Sequence, residues 1–494
     1  MTENLHLLMP ELLLAMLALV VLVVDLFLPE DHKGYLPWLA ILGLIGLLVL
    51  SINLLTNTEV TLYGGLIALD NFSLFFKCAF LALGIIVILA SMDFVSRWLR
   101  SPGEYYSIVL FSILGMILMV EAQELLTAYI AIELMAFGFY VLVAFGRNNR
   151  KSNEAGLKYI LVGAFSSAIF LYGLSLVYAA TTVTHFDAIE TSLRLALTNA
   201  DQIGPGLWIG MALMLAGLGF KVAAVPFHMW APDTYEGAPI PVTAFLSVGS
   251  KIASLAFMLR LFSEAFLPAI DQWQIIIAVM SALTMTLGNV VAIVQNNYKR
   301  LLAYSSIGHV GFMLMGIAAL SSIAIEGLLL YMIGYAVTTM AVFTALTALF
   351  NMTGGEDISD LGGLGDTHPY FAAAIAVALF SLAGLPFFAG FTMKFYLFAA
   401  VGVQGLLWLA GLAVFNSLVS LYYYLRIIRE MYVKPSPESV TLLMSHSEAS
   451  NNISKPTVVI TSLSVLLTLS IIYLGVYPFH LVKIIKAATL SIWD

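Results

Sequence analysis

The sequence predicts an all-α polytopic membrane protein with fourteen transmembrane helices, and three observations carry that expectation. Hydrophobic residues make up 61% of the 494 and charged residues only 10%, against about 25% charged in soluble domains. Apolar runs of about 20 residues, the length that crosses a bilayer, recur along the whole chain with no soluble domain between them. The lysines and arginines between the runs collect on alternate loops, as the positive-inside rule requires.

The first run, 7–28, has no lysine or arginine before it and no small-residue cleavage site ahead of Asp25, so a retained span is expected rather than a signal peptide. Runs at 36–55, 72–92, 105–121, 124–145, 157–180, 206–230, 240–262, 273–294, 301–320, 326–350, 370–400, 405–428 and 456–477 complete the set. The polar stretches 181–205 and 429–455 read as loops. With the N-terminus outside, the inner loops hold Lys33, Arg97, Arg100, Arg147, Arg150, Lys151, Lys299, Arg300, Arg426, Arg429, Lys434 and Lys455. The outer loops hold only Arg194, Lys483 and Lys486. The remaining basic residues lie inside spans: Lys77, Lys158, Lys221, Lys251, Arg260 and Lys394.

Composition also excludes chemistry. One cysteine, Cys78, cannot hold an iron–sulfur cluster or a structural zinc, and the eight histidines show no metal-ligand spacing. The glycines of 361–365 lack the lysine of a phosphate-binding loop. No cofactor site is expected in this chain, and the net charge of −8 says little about partners.

Function is therefore sought in the buried charges, above all in residues 211–260. Lys221 and Lys251 each sit about ten residues from a span end, further than a lysine reaches to a headgroup. Pro226, Pro232, Pro239 and Pro241 follow Lys221, so the seventh helix is expected to break near its charge. Broken helices with an ionisable group at the break are an ion-transport device. Glu133 lies mid-span and reads either as a structural carboxylate or as the partner of Lys221, its distance then loading or releasing a proton. Lys394 follows Pro386 and Gly390 and reads as an outer headgroup anchor or a water-accessible exit group. Lys158, placed one turn inside the sixth span, reads equally as anchor or relay. His309 reads as a relay or a core histidine, His228 as structural or as an uptake-side group. Lys77 and Arg260 read mainly as anchors. A faint repeat aligns Leu215-Ala216-Gly217-Leu218-Gly219-Phe220 with Leu382-Ala383-Gly384-Leu385-Pro386-Phe387, five spans later and so in the opposite membrane direction.

Three motifs then carry a resemblance: Val225-Pro226-Phe227-His228-Met229-Trp230-Ala231-Pro232-Asp233-Thr234-Tyr235-Glu236-Gly237-Ala238-Pro239, the run from Asn296 to His309, and Leu385-Pro386-Phe387-Phe388-Ala389-Gly390-Phe391. Together they resemble the antiporter-like subunits of respiratory complex I over nearly the whole chain. Asp233-Thr234-Tyr235-Glu236-Gly237 and a lysine at 394 are similar to the N-type branch rather than its L and M sisters. The resemblance implies two inverted five-helix units, with helices 7 and 12 discontinuous. The units are expected at 101–262 and 263–430, flanked by three helices in 1–100 and by a loop and last span in 431–494. It implies proton transfer through Glu133, Lys221, Lys251 and Lys394, with Lys158 and His309 as relays, and beside it our own reading places proton uptake near Lys158 and His228. It further implies a bacterial inner-membrane complex. NADH, FMN, iron–sulfur clusters and quinone would then belong to partner subunits, with M and K as neighbours and J nearby. A multisubunit cation/proton antiporter would use the same lysines. A channel would need a continuous polar pore, and a scaffold would tolerate uncharged residues at 133 and 221.

Overall fold

A computed structural model describes residues 5–54, 60–198, 204–435 and 456–493; Lys455, and with it most of the stretch 429–455, lies outside them. Thirteen described helices are long and apolar enough to cross a membrane, and two shorter apolar helices fill the twelfth place in the order. The first six spans are α1 (Met9–Phe27), α2 (Leu36–Leu54), α3 (Asn71–Trp98), α4 (Pro102–Glu121), α5 (Leu125–Val143) and α6 (Arg150–Thr181). The local chemistry of their starts explains these boundaries. Asp70 and Ser73 form a capping box at α3, Glu124 accepts from the Thr127 amide at α5, and Asn149 accepts from Lys151 at α6. Pro102 opens α4, where a missing N–H costs nothing.

Two segments between the expected spans carry structure, one of them within the stretch 181–205 that hydropathy reads as a loop. Residues 60–69 form a two-stranded hairpin, Val60–Leu62 with Ile67–Leu69. Within 181–205, α7 (Phe186–Thr198) lies amphipathically with Phe186, Ile189 and Leu193 turned inward. Its apolar residues recur at helical spacing but are too few to span a bilayer, which is why a transmembrane search passes over it.

The seventh span is broken as expected. α8 (Pro205–Val222) ends one residue after Lys221, and α9 (Trp230–Gly237) resumes beyond a seven-residue gap. The eighth consists of α10 (Ile240–Phe245), a π turn at Leu246–Ser250, and α11 (Lys251–Glu264). Then come α12 (Ile270–Ala292), α13 (Tyr298–Ala318), α14 (Ser322–Thr353) and the short α15 (Leu364–Thr367). The twelfth span is broken into α16 (Pro369–Ala383) and α17 (Ala389–Val403). α18 (Leu407–Val433), α19 (Val458–Val476) and a final α20 (Phe479–Trp493), beyond the last expected span, complete the chain.

The eighth span is the axis of the bundle and is wholly buried. α6 packs beside α8 through facing glycines: a Cβ on Gly173 would meet the Gly210 carbonyl oxygen at 2.6 Å, and one on Gly210 would meet the Gly173 oxygen at 2.8 Å. Such small-residue faces let membrane helices approach backbone to backbone, and this approach sets α6 side chains against Lys221. Many of the basic residues assigned to inner loops do gather on one face. Arg100, Arg147, Arg150 and Lys299 line a single cavity of about 590 Å³, and Lys151 and Arg300 share Glu236.

Candidate functional site: buried lysines along one bundle

Each break is built the same way. α8 ends with Ala223 in the left-handed conformation (φ 61°), the Ala224 N–H bonding Gly219 O at 2.8 Å and the Ala223 N–H bonding Phe220 O at 2.9 Å. α16 ends with Gly384 at φ 89°, with Leu385 N–H to Phe380 O at 3.1 Å and Gly384 N–H to Ser381 O at 2.9 Å. Both are Schellman closures, and each leads into an apolar-Pro-Phe run, Val225-Pro226-Phe227 and Leu385-Pro386-Phe387. The equivalence therefore lies one segment later in the seventh span than the sequence alignment placed it. Residues 215–220 are interior helix, whereas 382–387 contain the break itself. Five identical letters in six rewarded composition and not backbone shape.

Glu133 and Lys221 meet. Lys221 Nζ lies 3.7 Å from Glu133 Oε1, and Ser167 bridges them, donating to Glu133 and accepting from Lys221 at 3.3 Å. The pair is lopsided: the Lys221 side chain is 4% exposed and that of Glu133 is 19%. The carboxylate stands at the margin of the bundle and the ammonium inside it. The Tyr140 ring lies beneath the ammonium at 5.8 Å.

Lys251 opens the helix just after the π turn and, among the described residues, has only neutral company. Its Nζ donates to Ser306 Oγ at 2.6 Å and lies 5.2 Å from the centre of the Tyr235 ring. Ser306 Oγ in turn is 2.6 Å from the Tyr335 hydroxyl, which donates to the Ser247 carbonyl inside the π turn at 3.2 Å. Wide turns of this kind free backbone groups and recur at functional sites. Ser306, His309 and Phe312 follow at three-residue steps along one face of α13. His309 is held between the Tyr331 hydroxyl (2.7 Å from Nδ1) and the Tyr424 hydroxyl (3.3 Å from Nε2). Both ring nitrogens are thus engaged, which suits a relay and a core histidine alike.

Lys394 is buried, and its snorkelling reading falls. From α17 its Nζ turns back across the break and donates to the carbonyls of Leu382 and Ala383, at 2.9 and 3.1 Å. Those are end carbonyls of α16, where a helix carries roughly half a negative charge. Gly390 N–H donates to Ser381 Oγ at 2.9 Å and holds the two half-helices together.

Lys158 sits in the third turn of α6, not the first, because that helix begins at Arg150. It pairs with Glu154 at 2.9 Å and Asp233 at 3.0 Å, and Asp233 is also bound by Arg300 at 2.8 Å. His228 stands half-buried in the gap between α8 and α9, beside the Pro226 backbone. Among the described residues no hydrogen bond or ion pair joins Lys158 or His228 to Lys221, or Lys221 to Lys251.

Three basic residues were misplaced by the sequence. Lys77 and Arg260 are not anchors: both are fully buried, Lys77 between Glu11 and Glu121 and Arg260 on Asp70. Lys299 is not a loop residue. It is 2% exposed in the first turn of α13 and pairs with Glu356 at 2.6 Å. The hydroxyls of Ser167, Ser306, Tyr331, Tyr335 and Tyr424 were missed altogether. Their only sequence signal is helical spacing, such as Tyr331 with Tyr335 one turn on.

The family described as NADH:quinone oxidoreductase/Mrp antiporter, TM, matches residues 122–420, which contain Glu133, Lys221, Lys251, Lys394 and both breaks. NADH-quinone oxidoreductase subunit N of Trichlorobacter lovleyi is 44% identical over 443 residues, covering 88% of this chain and 89% of the relative. The same subunit of Desulforamulus reducens is 40% identical over 99% of both chains. Among solved structures, a chain of respiratory complex I from Thermus thermophilus superposes with a TM-score of 0.78 at 27% identity, covering 97% of this chain and 100% of that one. A helical membrane bundle with this site, matched over nearly its full length by such relatives, belongs to the NADH-quinone oxidoreductase subunit N family.

Proposed function

We propose that the chain is the proton-translocating N-type membrane subunit of an NADH:quinone oxidoreductase complex and performs no redox chemistry itself. The observation that carries this reading is a charge imbalance in the bundle. Among the described residues, three buried ammonium groups, Lys221, Lys251 and Lys394, have one carboxylate partner among them, Glu133. A scaffold would pair its buried cations, since an unpaired one costs several kcal/mol. Lysines held only by hydroxyls, carbonyls and ring faces can exist with or without a proton.

The proton is taken up on the basic face near Lys158 and His228 and held on Lys221. It passes through Lys251 and the Ser306–His309 face to Lys394, and leaves on the opposite side. Low dielectric couples neighbouring charges strongly, so a change at Glu133 propagates along the row. NADH, FMN, iron–sulfur clusters and quinone sit in partner subunits, with M and K adjacent and J nearby. The membrane is the bacterial inner membrane, with the N-terminus on the periplasmic side. The two breaks, built alike, support two inverted five-helix units. The relatives' subunit N identity at 38–44% favours this reading over a cation/proton antiporter subunit.

The test is proton pumping alongside NADH–quinone turnover in membranes carrying Lys221→Ala, with assembly of the complex verified. Both should fall together. Normal values of both would make the buried lysine structural and sink the reading, and lost pumping with intact NADH oxidation would favour the antiporter.

A further inference from the structure

A second group of buried charges lies outside the row of lysines, on α1, α3 and α4. We propose that Glu11, Lys77 and Glu121 form a further proton-binding site, in which the two carboxyl groups share one exchangeable proton beside the lysine ammonium.

Lys77 Nζ contacts Glu121 Oε1 at 2.7 Å and Glu11 Oε1 at still closer range. The side chains of Lys77 and Glu121 have no exposure and that of Glu11 has 6%. Among the described residues, none of the four carboxylate oxygens meets a hydrogen-bond donor other than this ammonium. One cation therefore faces two carboxylates, and with both ionised the cluster holds a net negative charge in hydrocarbon. Burial of an uncompensated charge is resolved by a change of protonation in preference to desolvation. Two carboxylates that share a site do not both ionise.

Among the described residues the one other cation within electrostatic reach of the cluster is Arg260, which acts on Glu121 but is committed elsewhere. Arg260 on α11, which packs against α4, is already matched by Asp70 at 2.6 and 2.8 Å and approached by Glu264 at 3.7 Å. That neighbouring group repeats the ratio of two carboxylates to one cation. α2 carries no charged residue, and Lys483 and Lys486 on α20 are exposed. On α5 Glu133 faces Lys221, and Glu326 on α14 makes no ion pair among the described residues. Cys78, beside Lys77, brings a neutral thiol. A monovalent metal ion would need the space between the carboxylates, which Lys77 Nζ occupies. A proton is the ligand that balances the charge and fits.

Difference infrared spectroscopy of the purified complex tests this, comparing wild type with Glu121→Gln and, separately, Glu11→Gln. Each variant that assembles should lose one protonated-carboxyl C=O band per complex, and in wild type that band should shift on exchange into heavy water. Loss of carboxylate bands alone would mean that both groups are ionised and would overturn the proposal. So would failure of both variants to assemble, because glutamine stands in for a neutral acid and must be accepted at one position or the other. The result bears on this cluster alone. None of its residues belongs to the Lys221–Lys394 row, so the pumping test with Lys221→Ala stands or falls separately.

Discussion

Lys251 shows how little separates a charged from a neutral state inside this bundle. Its ammonium has one short hydrogen bond, to Ser306, and one ring face, Tyr235. Hydrogen bonds to charged groups contribute about 1.5–3 kcal/mol, and ~1.4 kcal/mol is a factor of ten in rate. Ser306→Ala should therefore slow coupled NADH–quinone turnover about tenfold or more while leaving the complex assembled, as read by turnover and by native gel. Tyr335→Phe should do less, because Ser306 keeps its bond to Lys251 and only the tether to the π turn is lost. Equal, wild-type activity in both would show that Lys251 does not depend on this hydroxyl pair. The lysines themselves were legible in the sequence, since a charge in an apolar run is conspicuous. Their hydroxyl partners were not, because serine and tyrosine are ordinary inside membrane helices and only the fold brings α13, α14 and α18 together. Lys77 and Arg260 were misread for a related reason: distance from a span end reports depth, whereas burial depends on what the neighbouring helices present.

At the level of elements the two breaks decide where charge can sit. A continuous helix spends its carbonyls on its own amides, but a broken one leaves the last of them free, and Lys394 takes two. The arrangement depends on close approach at Gly390, where a Cβ would run into the Ser381 carbonyl. Gly390→Ala should push α17 off α16, draw Lys394 from its acceptors and abolish most pumping, measured as the proton gradient per NADH oxidised. Gly384→Ala adds strain of about 1–2 kcal/mol in the left-handed conformation, and its Cβ would also crowd Lys394 Cδ at 2.9 Å. Reduced thermal stability of the assembled complex, together with lower pumping, is the outcome to look for. Prolines made both breaks readable in advance. The π turn before Lys251 was not readable: Leu246–Ser250 holds neither proline nor any charge, and its form follows from packing against Tyr335 and its neighbours. The amphipathic α7 was missed because a search tuned to bilayer-length runs ignores a one-sided helix of 13 residues.

Across the whole molecule, buried ion groups stitch distant parts of the chain together. Arg260 joins the eighth span to Asp70 at the head of the third, 190 residues away. Removing one partner of a buried pair costs about 3–5 kcal/mol, since the other is left uncompensated. Arg260→Ala should thus lower the amount of the chain recovered in the membrane complex sharply, whereas Arg194→Ala, on the exposed α7 pair with Glu190, should leave it unchanged. Immunoblots of isolated membranes distinguish the two. Helix content and span order followed from composition and hydropathy, because lipid imposes the same length and polarity on every crossing. Which spans lie inside was hidden, since lipid and protein interior select similar side chains.

The eighth span has one further consequence, and it concerns the ribosome. Every face of Ile240–Glu264 is covered by other helices, several of which are encoded after it. A nascent chain that has just delivered this segment already carries Asp70 for Arg260, but must hold Lys251 without the hydroxyls of α13 and α14. Until residues near 335 emerge, the segment is a poorly insulated passenger, so stalled or truncated synthesis between 264 and 335 should yield a product that membrane quality-control proteases remove at once.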